Sequence, residues 1–345
     1  VDFDLSDDQV ALRDGARDLL DGLASSVRVR ETVEAGGGVD TALWGAMLEQ
    51  GWPVVAVAED AGGLGLGPVE VAVLSEEIGR HAAPAPFAST VIALDALGSE
   101  RGVDLAERII ADGALACVAW SRDPEAVRAA PAGDDWRLTG RADPTPYAPS
   151  AAVAIVAAAT PDGPALFAVD LAAEGRPARE PAMDRTREIG WLRFEDTPAR
   201  WLGGDRAVER LVNLGAVTAC AEMLGGSARA LDLAVEYAKD RVQFGRPIGS
   251  FQAVKHRCAD MLVDVEGMRS STFWAAWCLA ASSPEASVAA STAKIWTADA
   301  SSRVMASSLQ VHGGIGFTWE HDLHLFLKRA ELDQLAFGDA AFHRE

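Results

Sequence analysis

From about residue 206 onward, apolar residues recur at three- and four-residue spacing in four long runs, 206–240, 251–281, 286–311 and 321–336, with only brief breaks between them. Helices of that length joined by short connections must run antiparallel, so the spacing predicts a four-helix bundle. What precedes the bundle is of another kind. Residues 115–202 carry short β-prone runs, 115–120, 136–139, 152–157, 165–169 and 191–194, separated by Pro, Gly and Asp clusters. That pattern predicts a small antiparallel β domain. Residues 1–114 read as helical again: an acidic first turn at Ser6-Asp7-Asp8, further runs at 41–49 and 68–80, and breaks at Gly51-Trp52-Pro53 and Ala83-Pro84-Ala85-Pro86. The expected fold class is mainly α with a central β domain: an N-terminal helical domain (1–114), a middle β domain (115–202) and a C-terminal four-helix bundle (203–345).

Charge narrows the partners. Thirty-one Lys+Arg against 51 Asp+Glu leave a formal net charge of −20 over 345 residues. Such a field repels phosphate backbones and anionic membrane surfaces, so neither nucleic acid nor membrane is an expected partner. No apolar run approaches the roughly 20 residues that span a bilayer. The start, Val1-Asp2-Phe3-Asp4, has no basic segment followed by an apolar one, and a secretory signal is not expected there. Cys117, Cys220, Cys258 and Cys278 form no CxxC pair, which argues against a zinc ribbon or a disulfide framework. The expected compartment is the cytoplasm, with reduced thiols.

Four motifs carry candidate chemistry. Gly63-x-Gly65-x-Gly67 lacks both a preceding strand and the full dinucleotide-loop spacing, and reads as a tight turn between helices. His321-x-x-His324, placed on a helix, has no third or fourth ligand nearby, and reads as a packed or solvated pair with no metal. The segment from Lys239 to Arg257 is sharper, concentrating Lys239, Arg241, Arg246, Lys255, Arg257 and His256 around a junction between two helices in a strongly acidic chain. Guanidinium forks and the amides of a helix N-terminus together suit a pyrophosphate, although a solvated basic helix end has the same composition. Finally, Gln310-Val311-His312-Gly313-Gly314-Ile315-Gly316-Phe317 ends a long helix with glycines that permit close backbone approach to a ligand.

On these residues the chain resembles the acyl-CoA dehydrogenase family nearly end to end. Residues 44–67 resemble its N-terminal signature, Arg241-Val242-Gln243-Phe244-Gly245-Arg246 with Gln252 its first FAD segment, and Gln310-Val311-His312-Gly313-Gly314 its second. The resemblance implies an FAD cofactor whose ADP side is contacted by Arg241, Phe244, Gln252, Gln310, Gly313 and Gly314 across a subunit interface. It also implies α,β-dehydrogenation of an acyl-CoA to a trans-2-enoyl-CoA, with a glutamate as base and an acceptor resembling electron-transfer flavoprotein.

Two departures from the family pattern bear on the chemistry. Phe337 stands where many members carry the glutamate base, and the alternative base position falls at Gly215; the nearest acid on that face of the helix is Glu222. The flavin-facing Thr-Glu-Pro loop corresponds to Cys117-Val118-Ala119-Trp120-Ser121-Arg122-Asp123-Pro124, and Ala142-Asp143-Pro144-Thr145-Pro146 replaces a tryptophan-containing strand after Gly140-Arg141. A chain that keeps its ADP-side contacts but has neither base nor ring platform is similar to the short subunit of actinobacterial heteromeric (α2β2) enzymes. Those enzymes oxidise steroid side-chain CoA thioesters with a longer homologous partner. The alternatives are a self-sufficient homotetramer using Glu222 as base, and a scaffold subunit that binds no flavin.

Overall fold

The computed structural model describes residues 4–133 and 135–345; Val1-Asp2-Phe3, on which the expectation about a signal drew, lies outside the described residues. The N-terminal helices are α1 (Asp7–Leu23), α2 (Ser26–Glu34), α3 (Thr41–Glu49), α4 (Pro68–Arg80), α5 (Phe87–Leu97) and α6 (Val103–Asp112). Strands β1 (Ala116–Ala119), β2 (Val127–Ala132), β3 (Asp135–Arg141), β4 (Thr145–Pro146), β5 (Val153–Thr160) and β6 (Gly163–Asp170) follow, then a short α7 (Leu171–Glu174), β7 (Ile189–Gly190) and β8 (Arg193–Gly203). The chain ends in α8 (Asp205–Asp240), a hairpin of β9 (Val242–Gln243) and β10 (Arg246–Pro247), α9 (Gln252–Ala280), α10 (Ala286–His312) and α11 (Leu323–Asp333).

Contacts divide the chain into two compact units, one of Val1–Arg30, Ala72–Ala83 and Ala216–Glu345, the other of Glu31–Val71 and Pro84–Gly215. In the first, α1 begins with a capping box: Gln9 N–H donates to Ser6 Oγ at 3.2 Å while the Gln9 side chain accepts from Ser6 N–H at 3.0 Å, satisfying two orphan helix-end donors. The buried face of α10 is built from Ala289, Ala290, Ala293, Ala298 and Ala300, small side chains that let neighbouring helices approach closely. Where α4 crosses α8 the backbones themselves meet. A Cβ on Gly79 would lie 2.0 Å from Glu222 O, and one on Gly225 would lie 1.8 Å from Glu76 O.

In the second unit six strands are ordered β1-β5-β2-β3-β8-β6, and a further β5–β6 pairing closes five of them into a ring, which removes most free edges. Phe167, Val156, Leu138, Cys117 and Phe194 fill its core. The expected purely antiparallel domain is corrected here: β1 runs parallel to β5, pairing Ala116 with Val153 through Ala119 with Val156, and β2 also meets β5 in parallel. Strand β2 has no sequence signal, because Arg128-Ala129-Ala130-Pro131-Ala132 lacks β-branched residues; pairing to β3 along its whole length makes it a strand.

The last expected helix is also shorter than its periodic run. His321 sits in a turn rather than on the helix, where its Nδ1 accepts the Leu323 N–H at 3.2 Å, and left-handed backbone at Phe337 (φ 54°) and Gly338 (φ 96°) follows the helix end. One helix among the described residues, Asp205–Asp240, is long and apolar enough to cross a membrane, and 94% of its apolar window is buried within the protein. All four cysteines are free.

Candidate functional site

The hairpin after α8 is a two-residue turn with positive φ at both central residues, Phe244 (52°) and Gly245 (77°). Asn-Gly or Gly-Gly normally fills such a turn, so a phenylalanine at its tip holds backbone strain. Its side chain is 92% exposed and meets the Phe251 ring edge-on, with centroids 6.1 Å apart. The Arg246 guanidinium lies over the other part of that platform, 4.2 Å from the Phe251 centroid. Arg241, Lys255 and Arg257 are exposed. The N-terminus of α9 has no side-chain cap and no acid in its first turn, which leaves its amides available to an anion. Gln252 stands in that turn, with its Nε2 3.4 Å from His256 Nε2.

The second segment is brought to the end of α8 by stacked rings. Tyr237, whose carbonyl accepts the Arg241 N–H at 2.9 Å, stacks on His312 with centroids 4.9 Å apart and planes at 30°. The helix ends at Gly313 in a conformation (φ 61°, ψ −139°) that a side chain would strain, so the chain turns there. Gln310 and Gly314 are exposed and Gly313 is half-buried. His312 is buried, donating Nδ1–H to Ser308 O at 2.8 Å, while its Nε2 has no protein partner. Thus the structure gathers the two sequence segments at one end of the bundle, with exposed cations, open helix amides and one orphaned buried nitrogen. Those features fit the charged, hydrogen-bonding ADP side of FAD.

Both expected base positions lack an acid, as the sequence requires. Phe337 is half-buried, and its carbonyl accepts His343 Nε2–H at 2.9 Å; burial holds His343 below its ordinary pKa, and Ser291 Oγ lies 3.1 Å from its Nδ1. Gly215 is buried within α8. Glu222 is 5% exposed, with its Oε2 3.7 Å from Arg329, and Arg329 Nη2 also donates to Ala83 O at 3.0 Å. This is an ion pair set in the bundle core. A second buried cation was not foreseen in the sequence: Lys294 is fully buried on α10 and donates to Asp333 O, tying down the carbonyl end of α11, and burial lowers its pKa. Its only sequence signal is a lone lysine amid Ser291-Thr292-Ala293.

In the sheet unit, the loop after β1 spends its serine locally, Ser121 Oγ accepting Asp123 N–H at 3.2 Å. Arg141, at the end of β3, is covered by the Trp191 ring at 4.3 Å. The Gly63–Gly67 segment follows a short 3-10 turn (Glu59–Ala61) and leads into α4, with no strand before it among the described residues, so it is a turn and not a dinucleotide loop. Among the described residues, no group of three or more His, Cys, Asp or Glu is placed to hold a metal.

A helical bundle and a ring-closed sheet, with exposed cations and open helix amides at one end of the bundle, form the kind of fold that flavin-linked dehydrogenases use. Family profiles agree: "Acyl-CoA dehydrogenase, C-terminal domain" matches residues 203–345 and "Acyl-CoA dehydrogenase, N-terminal domain" residues 6–101. The chain belongs to the acyl-CoA dehydrogenase family, oxidoreductases acting on acyl-CoA with FAD as cofactor. It is 33% identical over 327 residues to acyl-CoA dehydrogenase IpdE2 of Mycolicibacterium smegmatis, covering 94% of this chain and 93% of that one. Among solved structures it is similar to a variant of the Tcur3481-Tcur3483 steroid ACAD (TM-score 0.91, 32% identity, 98% and 95% of the two chains). It is likewise similar to the ChsE4-ChsE5 complex from Mycobacterium tuberculosis (TM-score 0.93, 29% identity, 100% and 97%).

Proposed function

We propose that this chain is the base-free subunit of a heteromeric, cytoplasmic acyl-CoA dehydrogenase, acting on CoA thioesters of the steroid side-chain class with a longer homologous partner in an α2β2 assembly. The observation that carries the reading is Phe244: an aromatic ring 92% exposed on a strained turn is stabilised only if another molecule covers it. Helices α9 and α10 also expose Leu262, Val263, Trp277 and Trp296, apolar side chains of the kind found at subunit interfaces. The names of two similar structures, a steroid ACAD of paired gene products and a ChsE4-ChsE5 complex, support the substrate class and the pairing.

In this reading Arg241 grips the cofactor pyrophosphate through its fork, the open amides of α9 complement the same charge, and Phe244, Gln252, Gln310, Gly313 and Gly314 shape the ADP contact. FAD, when bound, supplies the electron sink. Phe337 has no basic atom, and Glu222 is engaged by Arg329 in the core, so the substrate α-proton passes to a glutamate of the partner, and electrons leave to an acceptor like electron-transfer flavoprotein. The test is to purify this chain alone and with its partner, recording flavin absorbance and stoichiometry. The expected result is little FAD on the single chain and one flavin per heterodimer; stoichiometric FAD on a homomer overturns the proposal.

A further inference from the structure

The two histidines at the ADP-side turn have complementary protonation. His312 carries its proton on Nδ1, because that nitrogen faces the Ser308 carbonyl at 2.8 Å, which leaves Nε2 as an acceptor. His321 accepts the Leu323 N–H on Nδ1 at 3.2 Å, which places its own proton on Nε2. The rings are 4.3 Å apart, one with a spare donor and the other with a spare, buried acceptor that no protein group meets. Between them in sequence lies the turn that carries the cofactor-facing glycines, and it folds back on His312: a Cβ on Gly316 would lie 3.0 Å from His312 Cβ.

We infer that His312 and His321 are positioning residues, a packed imidazole pair that locks the Gly313–Phe317 turn in the shape that holds the ADP side of FAD. The lock itself stands on the geometry of this unit; its consequence for FAD rests on the function proposed above. Protonating His321 removes the acceptor for the Leu323 amide, and that event opens the lock.

The groups facing the pair set the direction of its pH dependence. Tyr237 covers His312 on one side. Arg30 and Asp322, themselves paired at 2.6 Å, flank His321, as does His312; burial is the largest influence and lowers the His321 pKa, with His312 and Arg30 adding to it and Asp322 opposing. With the locked-state pKa below the ordinary value of about 6.5, the open state binds more protons as pH falls through that value, so the lock is complete above it and weakens below it. His324, one turn on, is also held low, by burial and by Lys328, and is the competing titrating group.

The experiment is amide hydrogen exchange of the purified heteromer and of the chain alone, at about pH 7.5 and pH 5.5 after correction for intrinsic rates, with FAD retention read in parallel. The expected result is a loss of protection at Gly313–Phe317 of about tenfold at the lower pH. His324→Phe should leave that response intact. His321→Phe keeps a ring against His312 but has no acceptor for the Leu323 amide, so it should show the open exchange at both pH values; His321→Asn, whose Oδ1 can accept that amide, should recover part of the protection. Equal protection at both pH values in the unsubstituted protein, a measurement that needs no variant to fold, overturns the lock, as does unchanged exchange in His321→Phe. Exchange that follows pH while FAD retention does not supports the lock and overturns the ADP-side reading instead.

Discussion

Two adjacent glycines on α8 should respond to alanine with opposite sign. At Gly225 an added Cβ would stand 1.8 Å from the backbone oxygen of Glu76, where ordinary contact begins at 3.4 Å, so α4 and α8 would have to separate by about 1.6 Å (3.4 − 1.8). The obstacle is backbone, with no side chain able to swing aside. Helix α4 is also pinned at that level by Arg17 on Glu77 and Arg269 on Glu76, both at 2.6 Å. Overpacking of this kind costs typically 1–3 kcal/mol, and the rigid neighbours place Gly225→Ala at about 3 kcal/mol. At Gly226 the nearest atom, Gly79 O, is 3.5 Å from the added Cβ, an ordinary contact, and replacing a helix-interior glycine by alanine then stabilises by about 1 kcal/mol. The propensity gain is common to both positions, so denaturant titration followed by helical circular dichroism should separate the neighbouring variants by about 3 kcal/mol, the overpacking cost. Equal midpoints, or a Gly225→Ala protein as stable as the parent, would refute the close crossing of α4 and α8.

Glu222→Gln should lower stability by about 3 kcal/mol, because Arg329 stays buried opposite a neutral group. In the reconstituted enzyme it should leave kcat within about threefold; a hundredfold slowing with FAD content intact would make Glu222 the base. Arg241→Ala should remove a charge-assisted bond of about 1.5–3 kcal/mol and weaken FAD retention by about one to two decades, with Arg241→Lys recovering only part; an unchanged affinity would reduce the basic cluster to a solvated helix end. Phe244→Asn should relieve about 1 kcal/mol of turn strain in the single chain yet weaken assembly with the partner, read by sedentation-free means such as size-exclusion chromatography; assembly at parental strength would show that the exposed ring is not an interface residue.

The local elements were legible where short-range chemistry decides them. Helices at Thr41–Glu49 and Pro68–Arg80 have the bounds their periodicity and breakers indicate, and Asp205–Asp240 begins one residue before the run that starts at 206. Strand β8 was half hidden, because its Asp196 (φ 55°) and Pro198 read as a turn although the strand continues through them to Gly203. Parallel pairing of β1 with β5 was not legible at all: side-chain alternation reports which face is buried but not which distant strand lies alongside. The same division runs through the site. The residue types of Arg241–Gln252 and Gln310–Gly314 suggested an anion-binding role, and the expectation that base positions fall at Phe337 and Gly215 rests on resemblance to the family pattern. Only tertiary structure could show that Glu222 is held by Arg329, a residue 107 positions later, or that Tyr237, His312 and His321 form one stack. Periodicity, turn propensity and charge act within a few residues and are written in the sequence directly. Ion-pair partners, ring stacks and strand neighbours depend on which surfaces pack together, and packing is settled by the whole chain at once.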